Sequence, residues 1–181
     1  MVPTVKTLTK PRNARGTLFA ELPVALYILI FFFTIPMLDL AAISVRSCFL
    51  YISAHMATVE AARATTFQAD PVGQLSAKNL ADKVAREVAT GYTGVSVNSV
   101  VTSILITDTN TLNQTRSIVK LTTPADVSAN TYQIEVQVSG SVQALIPFSN
   151  GPFPRMPGLN APITLTFTDR QLCENTQGLT K

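Results

Sequence analysis

Histidine is nearly absent from this sequence: the 181 residues contain one, His55. The chain therefore offers no second nitrogen ligand for a metal site of the usual kind. No serine or cysteine lies in a nucleophile motif, and no glycine-rich phosphate loop follows a predicted strand. These absences argue against an enzyme, and they leave no catalytic, cofactor-binding or metal-ligating residue to predict. We expect His55 to be a packed or solvated helix residue.

Charge is missing from one long stretch. The 17 residues from Leu22 to Leu38 are uncharged and mostly apolar. A helix rises about 1.5 Å per residue, so this stretch spans about 26 Å, close to the hydrocarbon thickness of a bilayer. Asp39 marks its far boundary. The sequence therefore predicts a transmembrane helix over about residues 22–38.

Acidic residues are missing from the segment before this span. It carries Lys6, Lys10, Arg12 and Arg15 and no carboxylate before Glu21. Cytoplasmic flanks of membrane spans carry an excess of Lys and Arg. We therefore predict a single-pass protein with a cytoplasmic N-terminus and an exported C-terminal part.

Gly16 is followed by Glu21, the fifth residue after it, at the start of the apolar helix and behind a basic leader. This arrangement resembles the class III signal of type IV pilins and pseudopilins. The resemblance implies that a prepilin peptidase cuts between Gly16 and Thr17, and that Thr17 becomes the mature N-terminus. It also maps the family's glutamate onto Glu21. A carboxylate among apolar helices is costly unless paired, and the α-ammonium of a neighbouring subunit's Thr17 would be a suitable partner that fixes the axial register.

Two other interpretations of the N-terminus stay open. A cleaved secretory signal has a shorter apolar core and small residues at its cut, and Leu40-Ala41-Ala42 is a poor site. A plain uncleaved anchor would leave Glu21 as an interfacial carboxylate without a role.

The charge balance argues against nucleic-acid binding. The whole chain has 14 basic and 11 acidic residues, a net charge of +3. Four of the basic residues and none of the acidic ones lie in Met1–Gly16, so the remaining chain has a net charge of −1. No basic surface for DNA or RNA is left once the leader is removed.

Apolar residues recur at alternating spacings of four and three beyond the span, as on the packed face of a helix. We call this set the a/d stripe: Leu38, Ala42, Val45, Phe49, Ile52, Met56 and Val59. Small residues flank it. The pattern predicts one helix from about Leu22 to Phe67, with Pro23 in its first turn and a kink or local unwinding at Pro36. The outer turns of the stripe are expected to pack on the chain's own domain and the inner turns on partner helices.

The rest of the chain predicts an α+β domain. Ser76 is a candidate N-cap for an amphipathic second helix that ends at Thr90, with Gly91 as its breaker. Alternating apolar residues then predict strands at about Val95–Thr107 and Arg116–Thr122, a long one over 132–148 that bends at Gly140, and a last one around Ile163–Phe167. We expect the second helix to lie on an antiparallel sheet of about four strands. The proline-rich loop 147–158 is expected to connect two strands.

This layout divides the chain into a leader (1–16), a long helix (17–68) and an exported domain (69–181). The two cysteines, Cys48 and Cys173, would face an oxidising compartment. A disulfide between them would close a loop of more than a hundred residues. We favour two independent thiols over this bridge.

Within the pilin superfamily, the alanine-rich helix end, the short second helix and the final strand ending in Asp169-Arg170 resemble TadE-like minor pseudopilins of the tight-adherence (Flp) pilus system. This resemblance implies a minor subunit in or at the tip of a filament that serves adhesion or secretion. It implies as partners the prepilin peptidase, other pilin subunits, the pilus assembly platform and the inner membrane, with no nucleic acid and no cofactor. The alternative is a membrane-anchored binding or sensing domain that does not assemble.

Overall fold

The computed structural model describes residues 17–146 and 161–181, and for residues 17–20 it describes the main chain only. Gly16 and the proline-rich loop 147–158 lie outside the described residues. The chain forms two compact units that divide between Met37 and Leu38. Its architecture is α+β, with a long N-terminal helix, a short second helix and a four-stranded antiparallel sheet. This confirms the fold class predicted from the sequence.

Helical residues run without interruption from Thr17 to Arg63. They comprise α1 (Thr17–Ile28), a π-helical segment (Leu29–Thr34) and α2 (Ile35–Arg63). The π-helical segment lies directly before Pro36, which lacks an N–H and crowds the carbonyl four residues earlier. The hydroxyl of Thr34 donates to the carbonyl oxygen of Leu29 at 3.3 Å. The predicted unwinding at Pro36 is thus confirmed. Pro23, by contrast, lies in the second turn of α1 and not the first.

α2 ends at Arg63, four residues before the predicted end at Phe67. Residues 64–76 form a bent connection to α3 (Ala77–Thr90), which begins and ends where the sequence predicts. Ser76 occupies the N-cap position, but its hydroxyl makes no capping bond. The main-chain N–H of Ser76 instead donates to Oδ1 of Asp70 at 2.7 Å, which ties the connection to the start of α3.

The sheet has the strand order β2-β1-β3-β4, with every pair antiparallel. Its strands are β1 (Val95–Asp108), β2 (Gln114–Ser117), β3 (Asn130–Val142) and β4 (Ile163–Leu172). β1 matches the prediction closely, whereas β2 is shorter than predicted and β3 ends well before residue 148. A short 3₁₀ helix (Thr176–Thr180) closes the chain, with Leu179 buried in the core.

The irregularity predicted at Gly140 is present, but the extra residue belongs to the opposite strand. The register of β1 against β3 shifts between Val97 and Ser99, next to Gly140. A Cβ at Gly140 would lie 2.5 Å from the carbonyl oxygen of Ser96 and 2.7 Å from Cδ1 of Leu50. Glycine is therefore required because α2 and β1 both approach β3 closely here.

The predicted inward face of α2 is wrong for its outer turns. Ile52 and Met56 of the a/d stripe are 40% and 44% exposed. The flanking small residues are buried instead, together with Ile43 and Leu50; they are Ser53, Ala54, Ala57, Thr58, Ala61 and Ala62. At Gly140 the side chain that reaches the sheet from this face is Leu50. α2 therefore packs on the sheet with its alanine face and leaves the a/d stripe largely uncovered.

α2 and α3 cover one face of the sheet. The core between these layers contains the buried alanines of both helices and alternate residues of β1 and β3: Ile104, Tyr132, Ile134, Val136, Val138 and Val142. The other sheet face carries mostly Ser, Thr and Gln side chains, as expected for a sheet with one solvated side.

Candidate assembly surface

The residues predicted to direct processing and assembly lie at the start of the chain. Gly16 is outside the described residues, and Thr17 is the first residue of α1. Glu21 is exposed and has no hydrogen-bond or ion-pair partner within the described part of the chain. The structure therefore describes Glu21 as a free carboxylate at the start of an apolar helix.

The helix around Glu21 is uncovered. Every side chain from Glu21 to Thr34 is exposed, including Leu22, Tyr27 and Phe33. The helical stretch Glu21–Arg63 is long and apolar enough to cross a membrane, judged by length and composition. Soluble monomers rarely expose so long a contiguous apolar surface. Lipid or other apolar helices are the environments that suit it.

The segment after β3, residues 143–146, is held against α2 by hydrogen bonds to the side chains of Arg46 and Asp39. Nη1 of Arg46 donates to the carbonyl oxygen of Gln143 at 2.6 Å. Three residues later, the main-chain N–H of Ile146 donates to Oδ1 of Asp39 at 2.9 Å. Asp39 is fully buried, and its Oδ2 has no hydrogen-bond partner among residues 17–146 and 161–181. Asp39 was expected from the sequence only to end the apolar span, but it is buried and binds the main chain of Ile146.

An apolar groove of about 420 Å³ lies beside residues 143–146 in the C-terminal unit. Its floor includes the stacked rings of Phe49 and Tyr92, whose centroids are 3.8 Å apart. Arg46 lies on its rim and packs against Gly94, where a Cβ would come within 2.7 Å of the guanidinium carbon. The remaining lining residues are Ala41, Ala42, Val45, Gly91, Thr93 and Leu145.

His55 joins α2 to β4. Its Nδ1 donates to Oδ2 of Asp169 at 2.9 Å, and the Asp169 side chain is largely buried. Tyr51, one turn earlier, meets the ring of Phe167 edge-on with centroids 5.9 Å apart. The single histidine is thus a packed helix residue, as predicted.

A buried glutamate on the second sheet face was not found by sequence reasoning. Glu135 on β3 is 2% exposed. Its carboxylate oxygens accept hydrogen bonds from Nη2 of Arg116 on β2 and from Nε of Arg170 on β4, and the shortest distance to each arginine is 2.7 Å. They also accept a hydrogen bond from the hydroxyl of Ser103 at 3.3 Å. The alternation of β3 placed Glu135 on the polar face, but spacing alone gave no sign that two arginines converge on it.

Cys48 and Cys173 are both free thiols. Cys48 is exposed on α2, and Cys173 is partly buried after β4. Burial raises the pKa of the Cys173 thiol, because desolvation disfavours the thiolate. Within residues 17–146 and 161–181, no group of three His, Cys, Asp or Glu side chains is arranged to hold a metal ion.

Comparison with known proteins finds no matching family model, no matching curated protein and no matching solved structure. The candidate surface therefore consists of an uncovered apolar helix with one carboxylate at its start. In the C-terminal unit, α2 buries its alanine face and leaves the a/d stripe largely exposed.

Proposed function

We propose that this chain is a minor pilin or pseudopilin, a TadE-like structural subunit of a tight-adherence (Flp) type pilus that serves surface adhesion or secretion. One observation carries the proposal: Glu21 is the sole charged residue between Thr17 and Leu38, it lies in the uncovered apolar part of the helix, and it has no partner within the described chain. A subunit that assembles through this helix supplies both missing partners, an apolar surface and a cation.

The proposed path begins in the inner membrane. The basic leader Met1–Gly16 holds the N-terminus in the cytoplasm, and the C-terminal unit lies in the periplasm. A prepilin peptidase removes the leader after Gly16. The assembly platform then extracts the subunit into a filament, where Glu21 pairs with the α-ammonium of a neighbouring subunit's Thr17 and sets the axial register.

Intact mass and N-terminal sequencing of the membrane-localised protein test the processing step. Expression in cells that hold a prepilin peptidase should give a chain that begins at Thr17. A chain that keeps Met1–Gly16 would favour the membrane-anchored binding or sensing protein instead. A chain that begins after Ala42 would identify a cleaved secretory signal. The Gly16→Ile variant is the matched control, because a β-branched residue at the cut should block processing and leave insertion intact.

Incorporation of Glu21→Ala tests the assembly step. Membrane insertion should be unchanged, since the variant removes a charge from an apolar helix, while incorporation into filaments should fall. Glu87→Ala, which removes an exposed carboxylate from α3, is the control and should assemble normally. Normal assembly of Glu21→Ala would remove Glu21 from its proposed role.

A further inference from the structure

We propose that the groove beside Arg46 binds a membrane phospholipid, with the lipid phosphate on the Arg46 guanidinium and an acyl chain along the apolar floor. The inference rests on the proposed membrane insertion and adds a specific ligand to it. The structural feature that carries it is the combination of one fixed cation with an apolar groove of about 420 Å³.

The guanidinium of Arg46 is held in place from two sides. Its Nη1 donates to the carbonyl oxygen of Gln143 at 2.6 Å, which fixes one edge. Gly94, with φ of +83°, leaves room for the guanidinium where any side chain would collide with it. No other hydrogen bond is made by this guanidinium within the described residues. The remaining N–H groups are therefore free to bind a phosphate, a geometry that suits arginine.

Only two residues separate Leu38, the last residue of the predicted span, from Ala41, the first residue that lines the groove. At about 1.5 Å per residue, Ala41 lies about 5 Å and Arg46 about 12 Å along α2 beyond Leu38. The headgroup layer adds about 5–8 Å on each side of the hydrocarbon, so residues that directly follow a span are close to headgroups in sequence. Long basic side chains and the amphipathic rings of Tyr and Trp favour this layer. Arg46 and Tyr92 are residue types that suit it.

A lipid fits this groove better than the apolar helix of a second copy. That helix carries no charge between Leu22 and Leu38, so it offers nothing to the free N–H groups of Arg46. A phospholipid supplies a phosphate and a hydrocarbon chain together. The neighbouring cavity of about 480 Å³ beyond Tyr92 is lined by Glu87 and no cation, so the phosphate is expected on the Arg46 side alone.

Native mass spectrometry of the full chain in dodecyl maltoside micelles tests this, with dioleoyl phosphatidylglycerol as the added lipid. Arg46→Gln should weaken lipid binding about fivefold, the effect of one basic residue near an anionic lipid surface. Arg86→Gln is the matched control, since Arg86 is an exposed arginine of α3 paired with Asp82. It should bind lipid as the parent chain does. Glycerol phosphate, which has no acyl chain, should not bind.

Because Arg46→Gln also removes the hydrogen bond to the carbonyl oxygen of Gln143, a second variant tests the groove with that bond intact. Ala41→Phe enlarges another residue that lines the groove and leaves Arg46 in the sequence, and it should also lose lipid binding. The proposal is overturned if both groove variants bind lipid normally, if Arg86→Gln loses as much as Arg46→Gln, if glycerol phosphate binds as tightly as the lipid, or if the chain dimerises and excludes the lipid. A chain processed at Gly16 that shows any of these outcomes would keep the proposed function and lose only this inference.

Discussion

The main-chain N–H of Ile146 donates to Oδ1 of Asp39 across 107 residues of sequence, at 2.9 Å. Asp39 is fully buried, and within the described part of the chain this bond is the one that its carboxylate accepts, since Oδ2 has no partner there. Leaving a buried hydrogen-bonding group without its partner costs about 1–3 kcal/mol. The bond therefore holds the segment after β3 against α2 from one end, while Arg46 holds it from the other.

Loss of the Asp39 acceptor should release Ile146. In Asp39→Ala the Ile146 amide loses its partner, so its hydrogen exchange should accelerate about tenfold or more, since about 1.4 kcal/mol corresponds to a factor of ten. Asp39→Asn keeps an acceptor oxygen and should preserve most of the protection. The Gln143 amide, which donates to the carbonyl oxygen of Gly94 at 2.9 Å, is an internal control. Equal exchange of Ile146 in all three proteins would mean that the bond contributes nothing to local stability.

Gly140→Ala should destabilise the C-terminal unit by about 2 kcal/mol or more, within the range for overpacking a tight interior. The added Cβ meets a main-chain oxygen, Ser96 O, which cannot move without disturbing the β1–β3 register. Urea unfolding of the chain in a mild detergent measures the change. Gly91→Ala is the matched control, because its backbone is helical and its nearest neighbour would be Val88 O at 3.3 Å. An equal loss in both variants would show that the close approach at Gly140 is not the cause.

The order and type of the elements could be predicted from the sequence, but the packing of α2 on the sheet could not. Element type and order follow from local periodicity, so α3 and β1 were predicted almost to the residue. The inward face of α2 was not, because hydrophobicity favours large residues such as Ile52 and Met56 over alanine. The buried face of α2 is made of small residues together with Ile43 and Leu50. Which face turns inward depends on the fit between α2 and the sheet, a tertiary property that hydrophobicity alone does not give.

The buried polar groups escaped prediction for a related reason. Glu135 receives its arginines from residues 19 and 35 positions away in sequence. Asp39 receives its donor from a still more distant segment. The spacing of residues within one helix or strand gives no information about partners that lie so far away in sequence. The Gly16–Glu21 motif was found because its parts are local, and its proposed partners lie on other molecules.

Arg116 and Arg170 should act cooperatively on Glu135. Each single change to alanine leaves one guanidinium on the carboxylate and should cost about 1 kcal/mol, whereas the double change leaves a buried carboxylate with Ser103 alone. We therefore expect the double variant to lose at least about 1 kcal/mol more than the sum of the singles. A double-mutant cycle by urea unfolding measures this excess. Arg86→Ala, which breaks an exposed pair with Asp82, should cost about 0.5 kcal/mol or less. Strict additivity would contradict the shared role of Glu135.

Asp70 should account for part of the loss of stability in acid. The main-chain N–H of Ser76 and the side chain of Asn79 both donate to its carboxylate at 2.7 Å, and they lower its pKa below the ordinary value of 3.8. A carboxylate with a lowered pKa in the folded state stabilises the fold above its unfolded pKa. That contribution disappears as the pH falls from about 3.8 through the lower folded pKa.

The stability difference between the parent chain and Asp70→Ala should therefore be constant near neutral pH and shrink below pH 4. Unfolding curves between pH 7 and pH 2 measure it, with Gln74→Ala as the neutral control in the same connection. A difference that stays constant down to pH 2 would show that Asp70 does not couple protonation to the start of α3.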